Sequence, residues 1–497
     1  MARPVRVRVL SRASALARLQ AVLVQRALRD AHAGIDVECL TRAAAGDRDL
    51  TSPLWRMPDK GAFTADLSDA LLRGEADVVV HSFKDLPVEF AGGTRVAGAL
   101  PRADARDVLL VRRAVPDERP ERLTVLSSSP RRAWLLQEAL TALLPWPVRQ
   151  IDAVAVRGNI ETRVRRLVEG TAHGLVVAKA ALDRLLSAGP PFAADAARLR
   201  QLIEQCHWMV MPMREFPWAP AQGAIAMEIA EGRGDLQALM APIVCRATTD
   251  AVEQERRYLA EAGGGCHQAL GAAVVIKPYG RVVSVRAQAR GGGGEVSRWA
   301  LEDSRRVMPR TTADRMWPLP GQSVAVGRRP LPVDAPESSR GVWVARAEAL
   351  PEEWRFGPDR LVWAAGSRTR QRLALRGVWV HGSADGLGDE ERPAVDALAG
   401  RSVTWVRLTH AGSGAPDALA TYVADAELPE DLPSRSHFFW MSGELLAKAI
   451  ERWPAIRQAW HASGPGRTRQ AVISVLGDSS RTGVWLDRES WEKDICL

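Results

Sequence analysis

The 497-residue sequence has five cysteines, six lysines, three tyrosines and no long apolar run, and each shortage removes a class of protein. Cys39, Cys206, Cys245, Cys266 and Cys496 are odd in number, contain no CxxC pair and form no disulfide framework, so reduced thiols are expected. The Cys-His neighbours starting at 206 and 266 lack a second pair at ligand spacing, and no metal is expected. No stretch reaches the roughly 18 to 20 apolar residues of a membrane-spanning helix. The opening MARPVRVRVLSRAS has no secretory apolar core, so the expected location is the cytoplasm, with no membrane partner. The formal charge of +8 rests on arginine rather than lysine. No zinc-finger spacing or RNA-binding aromatic motif accompanies it, and no nucleic-acid partner is expected. Arginine's planar fork suits bidentate capture of carboxylate or phosphate, so where arginines gather matters more than their number.

What is present is α/β grammar. VRVRVL, IDVECL and ADVVVH read as strands separated by the helical patterns SALARLQAVLVQRALRDA and FTADLSDALLRG, and LTVLSSS to HGLVVAKAAL repeats the theme. The expected division is a first lobe over 1–104 and 206–242, with APAQGAIAMEIA returning into it, and a second lobe over 105–205. A small α+β domain is expected over 243–305, its helix opened by a capping box of Asp250 and Glu253. The Pro- and Gly-rich stretch 306–340 reads as a linker, and 341–497 as a further α/β module. That module holds ten of the seventeen tryptophans, the mark of a core of its own.

Ligands of such lobes sit at the carboxyl ends of strands. SFKDLP follows ADVVVH and places Ser82, Lys84 and Asp85 there; Arg12 and Ser14 follow the first strand in the same way. SSSPRR sets Ser127, Ser128 and Ser129 before a helix start with Arg131 and Arg132 in its first turn, a pattern that favours anions. The second lobe adds Arg157, Arg163 and Arg184. One cleft is therefore expected to hold many cations and a single conspicuous carboxylate, as a ligand with several carboxylates and one cationic reaction centre requires. A two-lobed carboxylate-binding protein is the alternative, but it has no need of Asp85, nor of the thiol Cys266 placed after three glycines.

HSFKDLP, SSSPRR, VRGNIETR, PAQGAIAME and GGGCHQALG, in this order and spacing, resemble the porphobilinogen deaminase (hydroxymethylbilane synthase) family over about residues 4–305. The resemblance implies two periplasmic-binding-protein-like lobes and a small domain carrying the cofactor cysteine. It implies a monomeric transferase that condenses four porphobilinogen molecules, with loss of ammonia, to hydroxymethylbilane. It also implies a dipyrromethane cofactor, assembled by the enzyme from two substrate molecules and held as a thioether on Cys266. Asp85 matches the catalytic aspartate. Lys84, the three serines, Arg131 and Arg132 match cofactor-binding positions, while Arg12, Ser14, Gln20, Lys60, Ser82, Arg157, Arg163 and Arg184 match substrate-binding ones. The sequence departs from the family pattern in TRAAAGDRD, in Pro130, in lacking a proline after Cys266 and in a long stretch over 187–216.

The last module resembles uroporphyrinogen III synthase, the next enzyme of the pathway, through the Gly/Thr turns of AAGSRTRQ and SGPGRTRQ and through HFFWMSGELLAKAI. The turns are expected to offer amides to substrate carboxylates. Thr409 falls where that family tends to carry a tyrosine. An active synthase and a non-catalytic docking remnant both fit this pattern.

Overall fold

A computed structural model describes residues 5–43, 65–88, 92–263, 268–288, 294–304, 308–322, 324, 326–388, 392–415 and 417–497. The first sheet runs in the order Asp36–Arg42, Arg6–Arg12, Val78–Ser82, Ile225–Ala230, Thr94–Ala99. Its first three strands are parallel, and Ile225–Ala230 lies antiparallel to both neighbours. The second sheet repeats the plan as Gln150–Val154, Arg122–Leu126, Gly174–Ala178, Asp107–Arg112, Cys206–Val210. Cys206–Val210 pairs antiparallel with Asp107–Arg112, so it belongs to the second lobe and not, as expected from the sequence, to the first. The return into the first lobe comes later, at Ile225.

Two crossovers join the lobes, 100–106 and 211–224, and they touch. Ala103 N donates to Gly223 O, and a Cβ on Gly223 (φ +84) would stand 2.8 Å from Ala103 O, so only glycine fits there. Beyond them the helix Arg246–Glu261 packs on an antiparallel sheet of Leu270–Lys277, Gly280–Gln288 and Glu295–Glu302. Asp250 lies inside that helix, which starts after Cys245, so the expected capping box does not exist. The Cys245 backbone N–H is tied to Ala99 O, and this tertiary bond sets where the helix begins.

The C-terminal unit has two sheets. Six strands run Gly327–Pro330, Ala418–Asp425, Trp405–His410, Gly341–Val344, Val362–Ala364, Gly382–Ser383, parallel except for the first pair. Four parallel strands run Met316–Trp317, His437–Trp440, Trp460–Ser463, Thr482–Val484. Met316–Trp317 and Gly327–Pro330 come from the segment expected to be a linker, which instead supplies a strand to each sheet. Strands of two to four residues show no alternation that a sequence can reveal.

The C-terminal unit has apolar clusters of its own, which hold Trp354, Trp440, Trp485 and Trp491, but four of its tryptophans are shared with the second lobe. Trp343, Trp363 and Trp405 share one apolar cluster with Leu199, Ile203, Cys206 and Trp208 of the second lobe, and Trp379 belongs to another with Trp146 and Met209. Trp379 Nε1 donates to Trp208 O at 3.1 Å, and Val210 N donates to His381 O at 2.7 Å. The long stretch over 187–216 supplies the helix Ala193–Ile203, whose Arg200 reaches Leu398 O at 3.1 Å. Leu387, Val484 and Leu486 in turn pack against the three-stranded domain. A chain ending at residue 304 therefore uncovers several apolar side chains, each worth about 1.5 to 3 kcal/mol when buried. It is expected to melt at least about 10 °C lower than the full chain, or to aggregate, in a thermal scan with size-exclusion chromatography.

Candidate active site

The site forms where the carboxyl ends of Val78–Ser82 and Arg122–Leu126 face the crossovers. After Val78–Ser82 the chain makes a single 3-10 turn, Phe83–Asp85, whose Phe83 is buried together with the following Leu86. With those two anchored, Lys84 is left half-buried and Asp85 exposed at the strand end. Arg256 fastens the turn from the neighbouring domain, donating to Leu86 O, Pro87 O and Val88 O and lying 5.3 Å over the Phe83 ring. Gln20 and Ser82, both expected at the substrate, hydrogen-bond each other at 2.9 Å. Ser14 caps the helix Ala15–Ala31, accepting from Ala17 N.

The serine run caps its helix too. Ser129 accepts from Arg132 N at the start of Pro130–Ala139, Ser127 accepts from Ser129 N, and Ser128 is bound to both N and O of Val156. These hydroxyls shape the turn. Arg131 and Arg132 point inward and meet a carboxylate that sequence reasoning missed. Asp107, fully buried, accepts from Arg131 Nη2 at 2.8 Å and Arg132 Nη2 at 2.7 Å. Gln222 joins them, donating to Asp107 Oδ1 at 2.9 Å and accepting from Lys84 Nζ at 3.3 Å. Asp85 is therefore not the only carboxylate among the cations. Asp107 sits at the head of the apolar run DVLLV, and a charged residue starting a strand so apolar is the one signal that pointed to it.

The electrostatics follow. Burial opposes ionisation of Asp107, but the two guanidinium groups prevail and hold its carboxyl well below the ordinary range. Burial pushes the Lys84 ammonium down, Asp85 opposes this, and Arg131 and Arg132 add to it. Arg163 is lowered to about 10 by burial and by Arg132 and Arg157 beside it; its Nε donates to Gly158 O. Arg184, also lowered to about 10 by burial, reaches Gly223 O across the lobes at 2.7 Å. Arg12 and Arg157 are half-buried in the described structure. Lys60 and Cys266 lie outside the described residues.

The C-terminal unit has a cleft between its two sheets, about 580 Å³ including its mouth, lined by Arg328, Arg346, His410, Tyr422, Glu444 and Lys448 among others. Tyr422 stands opposite His410 in register, and Glu444 lies 3.6 Å from His410 and 2.9 Å from Lys448. Thr409 is buried in the sheet and does not line the cleft; Tyr422, from the adjacent strand, does.

Two α/β lobes joined by paired crossovers, with Arg131, Arg132 and Lys84 gathered around Asp107 and Gln222 where the strand ends meet the crossovers, define a two-lobed cleft protein. The family model for the porphobilinogen deaminase dipyrromethane cofactor-binding domain matches residues 7–238. A porphobilinogen deaminase of Burkholderia thailandensis is 34% identical over 301 residues, 58% of this chain and 84% of that protein. One of Bordetella parapertussis is 34% identical over 304 residues, 59% of this chain and 89% of that protein. The chain belongs to the porphobilinogen deaminase family, and its activity is that of a hydroxymethylbilane synthase, a transferase of tetrapyrrole biosynthesis. Among the described residues no helix is long and apolar enough to cross a membrane, and no three His, Cys, Asp or Glu side chains group to hold a metal ion.

The residues fit a dipyrromethane. Arg131 Nε and Arg132 Nε are buried without a hydrogen-bond partner, and the like-charged neighbours that lower Arg163 make added carboxylates favourable. Asp107→Asn leaves two buried guanidinium groups without their counter-charge, a loss of about 3 to 5 kcal/mol in denaturant titration. Since the native carboxyl of Asp107 lies below its unfolded value near about 3.9, its contribution is complete above that pH and disappears as the pH falls through the native value.

Proposed function

We propose that Asp85 is the catalytic acid and base of the deaminase and that Cys266 carries the dipyrromethane as a thioether. The observation that carries this reading is the exposed Asp85 carboxylate at a strand end, held there by the buried Phe83 and Leu86 and next to Lys84, whose ammonium is bound to Gln222. When bound, dipyrromethane supplies the pyrrole terminus from which the product grows. In each cycle the aminomethyl C–N bond of porphobilinogen breaks with release of ammonia, a C–C bond forms to the free α-carbon, and that carbon loses its proton. Asp85 accepts the N–H of the pyrrole on which positive charge develops and moves the proton. Arg131, Arg132 and Lys84 bind the acetate and propionate groups nearest the attachment point, and Arg12, Arg157, Arg163 and Arg184 those of the incoming ring, with Lys60 and Ser14 at its edge. Gln20 and Ser82, bonded to each other, stiffen the strand end. The protein acts as a monomer.

Asp85→Asn keeps the shape and removes the charge, so turnover is expected to fall by roughly 100-fold or more with folding unchanged. Intact mass is expected to exceed the sequence mass by two linked pyrrole units, and Cys266→Ser is expected to lack that excess. A wild-type protein of bare sequence mass that turns over porphobilinogen would exclude the thioether.

A second activity is supported by the C-terminal cleft, where three cations stand beside Tyr422 and His410. We propose that it takes the linear product and closes it as uroporphyrinogen III synthase does, the cations binding carboxylates and Tyr422 assisting departure of the hydroxyl. Hydroxymethylbilane cyclises to the type I isomer unaided. The full chain is expected to give type III from porphobilinogen, and Tyr422→Phe or Lys448→Met to return the mixture toward type I. Type I alone from the full chain makes the C-terminal unit a docking element only.

A further inference from the structure

The C-terminal unit does not touch the second lobe at random; it grips both crossovers between the lobes. On the first, Arg106 Nη1 donates to Ser383 O at 2.8 Å and lies 3.8 Å from Asp385, while Asp104 holds the same guanidinium at 2.7 Å. On the second, Met213 N–H donates to Asp385 and Ser367 Oγ donates to Glu215 Oε2 at 3.1 Å, while Arg370, with no exposed surface, donates at 2.7 Å to Val210 O, the last residue of the strand that leads into it. Asp385 therefore joins the two crossovers through one carboxylate, fixed by Ser383 Oγ at 2.9 Å and by a left-handed backbone at φ 54. Arg370 Nε and Nη2 have no hydrogen-bond partner and feel the charges of Asp385, Glu215 and Arg106. The turn AAGSRTRQ, expected to receive substrate carboxylates, is met instead by a carboxylate of the chain's own front half, Glu215.

Arg106 immediately precedes Asp107, the carboxylate that holds Arg131 and Arg132. A displacement at Arg106 thus reaches the cofactor-binding arginines across a single peptide unit. We infer that the C-terminal unit is a clamp on the inter-lobe hinge, with Asp385 and Arg370 as positioning residues for the front site. The inference rests on the reading of Arg131 and Arg132 as ligand-binding groups, but the clamp itself can be read without reference to chemistry.

The test uses the full chain. Asp385→Asn and Arg106→Met each remove one side of the contact, and Ser367→Ala, a milder change, removes one hydroxyl from Glu215. Amide hydrogen exchange at 101–107 and 208–215 is expected to quicken roughly fivefold or more in the first two and less in the third, with the C-terminal sheets unchanged. The KM for porphobilinogen is expected to rise by a similar factor, with kcat altered less than about twofold and pyrrole content retained. The Asp385→Asn/Arg106→Met double variant is expected to show less than the sum of the singles, because the two share the Arg106–Asp385 contact. Additive effects, or unchanged exchange in all three variants, overturn the clamp. Quickened exchange with unchanged KM overturns only its action on the arginines. If Asp385→Asn does not fold, Ser367→Ala and Arg106→Met decide the question by the same readings.

Discussion

A single buried carboxylate, Glu255, holds the front half together. It lies on the helix Arg246–Glu261 with no exposed surface and accepts five hydrogen bonds: Arg102 Nη1 at 2.8 Å, Arg102 Nη2 at 2.7 Å, Trp218 Nε1 at 2.9 Å, Ala221 N at 2.7 Å and Val274 N at 2.8 Å. Arg102 belongs to the first crossover, Trp218 and Ala221 to the second, and Val274 to the three-stranded sheet. A buried charge is tolerable only when its partners are complete, and here the partners come from three separate segments. Removing any of these segments leaves the others facing an unsatisfied anion. The lobes, the crossovers and the small domain are in this way made mutually dependent by one side chain.

The same logic of a central anion recurs twice more beside the crossovers, at Asp107 facing the cleft and at Asp385, which reaches them from the C-terminal unit. Asp107 gathers two guanidinium groups from one helix, and Asp385 takes Arg106 from the first crossover. Arginine suits this work because its fork binds a carboxylate and a carbonyl together, as Arg131 does with Asp107 and Pro217 O. The sparing use of lysine thus has a structural counterpart in a frame built on bidentate contacts.

Much of the frame was legible in the sequence because it is written locally. Ser14, Ser129 and Asn159 each announce a helix by capping it, and the strand ends carrying Arg12, Asp85 and Ser127 follow apolar runs of ordinary length. What escaped is non-local. Asp107, Gln222 and Glu255 find their partners across 19 to 153 residues, a distance over which no pattern in the chain points from one to the other. The Asp250 and Glu253 pair matched a capping box by spacing alone, while the actual helix start was fixed by a bond to Ala99. Tryptophan-rich composition marked the C-terminal unit correctly as having cores of its own, yet Trp343, Trp363, Trp379 and Trp405 turn outward, toward the second lobe, because a shared core and a private one have the same composition.

The preference for arginine has a further consequence in the cleft. Arginine stays charged at any pH at which the protein folds, and even the lowered Arg163 and Arg184 titrate at about 10. Among the described cations of the front site only Lys84, pushed down by burial, is an amine. The cleft is thus the molecular equivalent of a strong-base ion exchanger containing one weaker group, and that group, the amine whose charge burial disfavours, is the residue next to Asp85.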